Sequence, residues 1–151
     1  MQFLGTASGK SFLGINHYLL KGRTLRASFA EIVRRHEILR TTFPMVDGQP
    51  VQRITPQTEA TLEIPLLDLQ VLDGVHHEQL MHMMAEDEAA TPFDLAKGPL
   101  LRLKLLRITA DAHLLLLTMH HIVGDDWSNV LLLQEFSRLY TAFAQGKASP
   151  L

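Results

Sequence analysis

The chain has 151 residues, 46% of them hydrophobic and 20% charged, with a formal net charge of −2. That is one domain's worth of chain, long enough to bury a hydrophobic core without cross-links, and it carries no basic footprint for nucleic acid. It contains no cysteine, which removes disulfides, thiol nucleophiles and thiolate metal ligands from consideration.

The first residues lack a charged head followed by a long apolar segment, and no apolar run, residues 114–117 included, approaches membrane-spanning length. A single cytoplasmic domain over residues 1–151 is expected. Residues 15–20 read as a strand, closed by Lys21 and Gly22. Thr24 is a candidate N-cap for a helix starting near Leu25, in which Leu25, Phe29, Ile32 and Val33 recur at helical spacing. Residues 38–55 read as two strands joined at the Asp47-Gly48 turn. Residues 61–69 form a short strand that Pro65 confines to an edge or a strand end. Residues 75–90 read as helix, and the stretch TPFDLAKGPLL as loop, broken by Pro92, Gly98 and Pro99.

Residues 100–108 and 113–121 then read as an antiparallel pair. The unbroken leucines 114–117 mark the second strand as central, with both faces covered. A final helix over about 126–144 should bury Val130, Leu133, Phe136, Leu139, Tyr140 and Phe143, and stop at Gly146. Strands and helices together imply an α/β (α+β) sandwich, helices packed on a sheet.

Chemistry concentrates in HHIVGDD, residues 120–126. Successive strand side chains point to opposite faces, so His120 and His121 cannot share one job. One imidazole is free to move protons near neutral pH while the other is structural. Asp125 is placed to accept from an imidazole or to pair with an arginine, and Asp126 to cap the following helix. The residues alone leave other readings open. Both histidines suit a solvated strand end. A metal site is disfavoured because adjacency splits the two ligands. A serine hydrolase is disfavoured because Ser128 has no G-x-S-x-G setting.

Three segments in order carry a resemblance. HHIVGDDWS is similar to the His-His-x-x-x-Asp-Gly signature of condensation domains of nonribosomal peptide synthetases, shared with acyltransferases of the chloramphenicol acetyltransferase fold. RRHEILRTTF (residues 34–43) resembles that family's Arg-His-Glu-x-Leu-Arg-Thr-x-Phe segment, and residues 92–108 its Pro-Phe-Asp-Leu…Gly-Pro-Leu-Leu-Arg segment. The resemblance covers roughly residues 14–151. It implies a chloramphenicol acetyltransferase-like half-domain with a mixed, mostly antiparallel sheet. It implies amide-bond formation between carrier-bound thioesters, with His121 catalytic and His120 and Asp125 structural. Arg35 and Arg40 are then candidates to pair with Asp125, Arg40 first. The chain itself would bind no cofactor and no metal, the 4′-phosphopantetheine arms arriving on partner carrier proteins.

The sequence departs from that pattern at Asp126, which stands where the family has glycine, and at its start, which lacks the family's Ser-x-x-Gln-x-Arg segment. The chain is about a third of a two-lobed condensation domain and so resembles the amino-terminal lobe alone. Its exposed tunnel face would be covered by a carboxy-terminal lobe or by another copy in a homo-oligomer; neither nucleic acid nor membrane is an expected partner. A standalone thioester-dependent acyltransferase, an epimerization domain, and a non-catalytic lobe that only docks a carrier are the alternatives.

Overall fold

The architecture is that of a computed structural model, which describes the backbone of residues 2–7, 10–18, 21–60, 62–71 and 74–151, and their side chains except at 2–18, 74–78, 81, 89 and 126. In chain order the elements are β1 (Gln2–Ala7), β2 (Lys10–Tyr18), α1 (Gly22–Arg35), a 3-10 turn (Glu37–Arg40), β3 (Thr41–Thr42) and β4 (Met45–Val46). There follow β5 (Gln49–Pro50), β6 (Arg53–Ile54), β7 (Leu66–Asp68), α2 (Gly74–Ala90), β8 (Leu101–Arg107), β9 (Ala112–His120) and α3 (Asp126–Ala144). They form two compact units, one from Met1–Leu20, Glu63–Pro92 and Leu101–His121, the other from Lys21–Leu62, Phe93–Leu100 and Ile122–Leu151.

The first unit is a five-stranded sheet in the order β1-β2-β9-β8-β7, antiparallel except for the β7–β8 pair. The leucine run does mark the centre: β9 lies between β2 and β8, and Leu115, Leu116 and Leu117 are all buried. The alternation of β8 divides its work. Leu101, Leu103 and Leu105 stand opposite Met119, Leu117 and Leu115 in one buried layer. On the other face Leu106 and Leu116 join Leu69, and Leu80 and Met84 of α2 pack against them. The same face carries Arg102 and Lys104, which would be costly under a helix if α2 did not answer them. Glu88, 2% exposed, receives Arg102 Nε and lies 2.6 Å from Lys104 Nζ. Arg102 also donates to the carbonyls of Glu88, Thr91 and Pro92, closing the C-terminal end of α2. Pro65 precedes β7 at the sheet edge, where a missing N–H costs nothing. The strand expected over 15–20 belongs to β2, which begins earlier; residues 19 and 20 lie outside the described residues.

In the second unit α1 packs on α3 through Phe29 and Phe136, stacked with ring centroids 4.8 Å apart, and Leu25, Phe29, Ile32 and Val33 are buried as their spacing demands. Two expectations fail at the ends of α1. The helix starts at Gly22 with Lys21 as N-cap, and Thr24 lies inside it, its carbonyl accepting from Ser28 Oγ. Residues 37–40 form a 3-10 turn rather than a strand, because Arg40 folds back under α1. The Asp47-Gly48 hairpin forms, both residues at positive φ (50° and 76°), although β4 and β5 are only two residues each. In α3 the buried stripe is Asn129, Leu132, Phe136, Leu139 and Ala142. Phe136 and Leu139 are buried as expected and Leu133, Tyr140 and Phe143 half-buried, whereas Val130, also expected inside, is 48% exposed. Gly146, at φ 70°, ends the helix by donating to Phe143 O while Lys147 N reaches Ala142 O.

Candidate functional site

The signature residues sit where a central strand runs out. β9 ends at His120, which is half-buried, and His121 leaves the strand exposed in the following turn. Alternation along β9 places His120 on the face of Leu116 and Thr118, opposite Met119. Alternation stops at His120 and does not extend to His121, which is exposed in the turn. After Val123, which is buried, the chain enters α3.

The cap of α3 is Asp125, where Asp126 was expected; Asp126 is the first helical residue. Asp125 Oδ1 accepts from Ser128 N at 2.8 Å and from Ser128 Oγ at 2.7 Å. Those bonds from the Ser128 amide and hydroxyl hold its carboxyl below the usual carboxylate range. The aspartate is thereby committed to the helix end, and the ion pair expected with Arg40 or Arg35 does not form.

Arg40 is instead a buried cap of α1. Only 7% exposed, it donates through Nε to Val33 O at 3.0 Å and through Nη1 to Thr55 O at 2.6 Å, while Glu37 lies 3.9 Å away. The carbonyls at the helix C-terminus carry partial negative charge, which a guanidinium fork neutralises with directional bonds. Arg35 extends to Glu135 of α3 at 4.0 Å, and beside it His36 Nε2 lies 2.7 Å from Glu135 Oε2. Glu135 is 9% exposed, so the Arg-His-Glu segment ties the end of α1 to the buried side of α3. Sequence reasoning missed this clasp. The available signal was a carboxylate on the apolar stripe between Leu132 and Phe136.

The other two motif segments also prove to be joined. Phe43 N donates to Leu95 O at 2.7 Å, and Gly98, at φ 66°, has Thr42 Cγ2 3.0 Å from where a Cβ would stand. Asp94 Oδ1 accepts from the amides of Ala96 and Lys97, folding the loop between them. The conformational freedom of glycine is needed at Gly98, both for the positive φ and for the close approach.

Among the described residues no three His, Cys, Asp or Glu are grouped so as to hold a metal ion, and no helix is long and apolar enough to cross a membrane. The arrangement offers an exposed imidazole at a strand end and a helix N-terminus closed by its own aspartate.

Comparison with known proteins gives a consistent answer. A family model described as "Condensation domain" matches residues 12–151. The chain is 44% identical over 132 residues to chondramide synthase cmdD of Chondromyces crocatus, covering 87% of this chain and 3% of that protein. It is 41% identical over 129 residues to malpibaldin synthetase of Mortierella alpina, covering 85% and 2% respectively. The starter condensation domain of rhizomide synthetase superposes with a TM-score of 0.80 at 21% identity, over 94% of this chain and 33% of that one. A condensation domain mediating chain release from the enacyloxin polyketide synthase gives 0.76 at 24% identity, over 95% and 27%. The chain thus spans a few hundredths of these curated relatives and about a third of the solved domains.

Proposed function

The chain belongs to the condensation-domain family, and from that membership we propose that it is the histidine-bearing, amino-terminal lobe of a domain that forms amide bonds in nonribosomal peptide synthesis. The substrates are an acyl or peptidyl thioester on one carrier protein and an aminoacyl thioester on another, each held on a phosphopantetheine arm. The acceptor's α-amine adds to the donor carbonyl, a C–N bond forms, and the tetrahedral intermediate collapses with cleavage of the C–S bond. The leaving sulfur takes up a proton and the amine gives one up.

In this reading His121 serves the amine, orienting it or accepting its proton. His120 and Asp125 support the loop, the first from inside the strand end and the second by fixing the start of α3. Arg40 and Arg35 shape the lobe at a distance from the chemistry. Tethering both substrates contributes much of the rate, since orientation alone supplies large effective molarities. One observation carries the proposal: the family match spans residues 12–151 with the His-His-x-x-x-Asp order intact, at the end of a central strand and the cap of a helix.

The test is product formation by the full-length protein supplied with two loaded carriers. His121→Ala should abolish the dipeptidyl product, by about 100-fold or more as expected for loss of a general base, while His120→Ala should act through protein stability. Equal product from wild type and His121→Ala ends the proposal. Turnover with coenzyme A thioesters and no downstream carrier would identify a standalone acyltransferase instead.

A further inference from the structure

One face of α1 is closed and the face beside it is open. Leu25, Phe29 and Ile32 are fully buried, and Phe29 stacks on Phe136 of α3. On the adjoining face Arg26, Ala30, Val33 and Arg34 line one wall of a cavity of about 370 Å³. Gln57, Thr58 and Ala60 belong to the facing wall, and every one of these residues lies in the second unit. That facing wall is held at its base. Thr55 N donates to Arg40 O, Thr55 O accepts from Arg40 Nη1, and Pro56 O accepts from the amides of Glu59 and Ala60. Ala30 and Ala60 add only methyl groups to the space between the walls, so it stays open.

The charge on this helix is out of character with the chain. Residues 21–35 contain five Lys or Arg and one acid, in a protein of net charge −2. Arg34 and Arg35 suit the last turn, where the helix dipole favours cations. Lys21, Arg23 and Arg26 do not, since they crowd the positive end and no acid in the first turn offsets them. Glu31 engages Nε and Nη2 of Arg34, which leaves Nη1 for another acceptor. Arg26 and Arg34 are separated by about 12 Å along the helix, with Ala30 and the buried Val33 between them. A guanidinium at each end of an apolar trough suits a ligand with an anion at each end and an apolar group in the middle.

The site is a trough and not a closed pocket: Arg26, Ala30, Arg34, Gln57 and Thr58 are all exposed. A free small molecule would keep much of its surface in water there, whereas small-ligand sites enclose most of the ligand. A polypeptide can lie along the trough and continue past both ends. In an extended chain residues i, i+2 and i+4 face one way, and i to i+4 spans about 13 Å. Acids at i and i+4 then reach the two arginines while the side chain at i+2 enters the trough. Gln57 and Thr58 offer polar groups to the peptide backbone. We propose that the trough between α1 and residues 57–60 docks an extended acidic segment of a partner protein, with the pattern acid-x-apolar-x-acid. The inference does not depend on the amide-forming reading and gives α1 no part in that chemistry.

The test titrates the full-length protein into a fluorescein-labelled peptide with glutamate at both ends, leucine at the centre and serine between, read by anisotropy. Replacing both glutamates by glutamine should weaken binding by about 10-fold or more, as expected for lost charge-assisted hydrogen bonds. Replacing the central leucine by serine should weaken it by about 10-fold as well. Arg26→Gln should bind the parent peptide about 10-fold more weakly. Arg35→Gln removes the same charge from the same helix outside the trough and should stay within about two-fold of wild type, because salt screens distant charges. Ala30→Leu fills the trough at an exposed helical position that suits leucine, so it should abolish binding and keep the melting temperature. Ala60→Leu fills it from the facing wall and serves if Ala30→Leu does not fold. No binding by wild type, equal binding of the glutamine peptide, or full binding by a folded filling variant overturns the proposal. Decanedioate binding as tightly as the peptide would make the trough a small-anion site. Self-association that Ala30→Leu abolishes would assign it to a second copy of this chain. Either of those results overturns the docking of a partner.

Discussion

Arg40 illustrates how far residue type alone can mislead. An arginine that leads into a strand near an acidic loop invites an ion pair, yet the residue is 7% exposed and its guanidinium serves the carbonyls of Val33 and Thr55. Arg40→Ala should therefore unfold the end of α1, costing about 3 kcal/mol for the lost charged hydrogen bonds and the carbonyls left behind. Arg40→Lys should recover little, since an ammonium cannot reproduce the fork. Chemical denaturation of the two variants measures both. Gly98→Ala is expected to cost about 1–2 kcal/mol, because alanine strains a φ of 66° and its methyl meets Thr42 at 3.0 Å. The sequence announced neither role: burial and a distant carbonyl leave no mark on local residue pattern. What it did announce was Asp125, through the motif, though as an ion-pair partner and not as the cap.

At the scale of elements, period and punctuation were readable. The α1 face, the central strand β9, the Asp47-Gly48 hairpin and the Gly146 stop all follow from apolar spacing or turn chemistry. The misses occur where distant segments override local preference. Residues 37–40 turn because Arg40 caps the preceding helix, and Val130 of α3 is left on the exposed side. The Glu88 cluster belongs here too. Burial pushes the Glu88 carboxyl up, but hydrogen bonds and charge from Lys104 and Arg102 outweigh it and leave it below the ordinary carboxylate range. Its stabilisation is therefore complete above the ordinary value of 4.5 and is lost as pH falls through the lower folded value. Glu88→Gln should cost about 2 kcal/mol at neutral pH, the partly solvated cations limiting the loss, and should flatten the acid limb of the melting curve.

For the whole molecule, a second acid-sensitive group lies at the far end of the sheet. His113 faces Arg107 across β8 and β9, and its Nδ1 is buried without a partner. Burial first and then the charge of Arg107 push its imidazole below the usual value of 6.5. The folded chain thus resists a proton that the unfolded chain accepts, so stability is full above 6.5 and declines as pH falls towards the folded value. Melting temperatures taken from pH 7.5 down to 5 should decline in wild type and decline less in His113→Gln. Large apolar side chains exposed on α3 are confined to its opening turns, where Trp127 is 79% exposed with Val130 and Leu131 beside it on the helix. The chain spans about a third of the solved condensation domains, and a longer form should shield Trp127. Indole fluorescence should then shift to the blue in the longer form, whereas an unchanged spectrum would place that patch in solvent.

The sheet also sets a timetable. Strand β2 pairs Lys10 with His120 and Tyr18 with Ala112, so every rung of that ladder closes a loop of more than ninety residues. The chain passes between its two units at residues 20, 62, 92, 100 and 121, and the first unit is complete only with residue 121. The earliest strands of the sheet must wait for β9, the last of its strands to be made. Such non-local pairing makes for slow folding. Nascent β1 and β2 remain open to wrong partners until residue 120 has left the ribosome, which makes chaperone capture of arrested chains the place to see it.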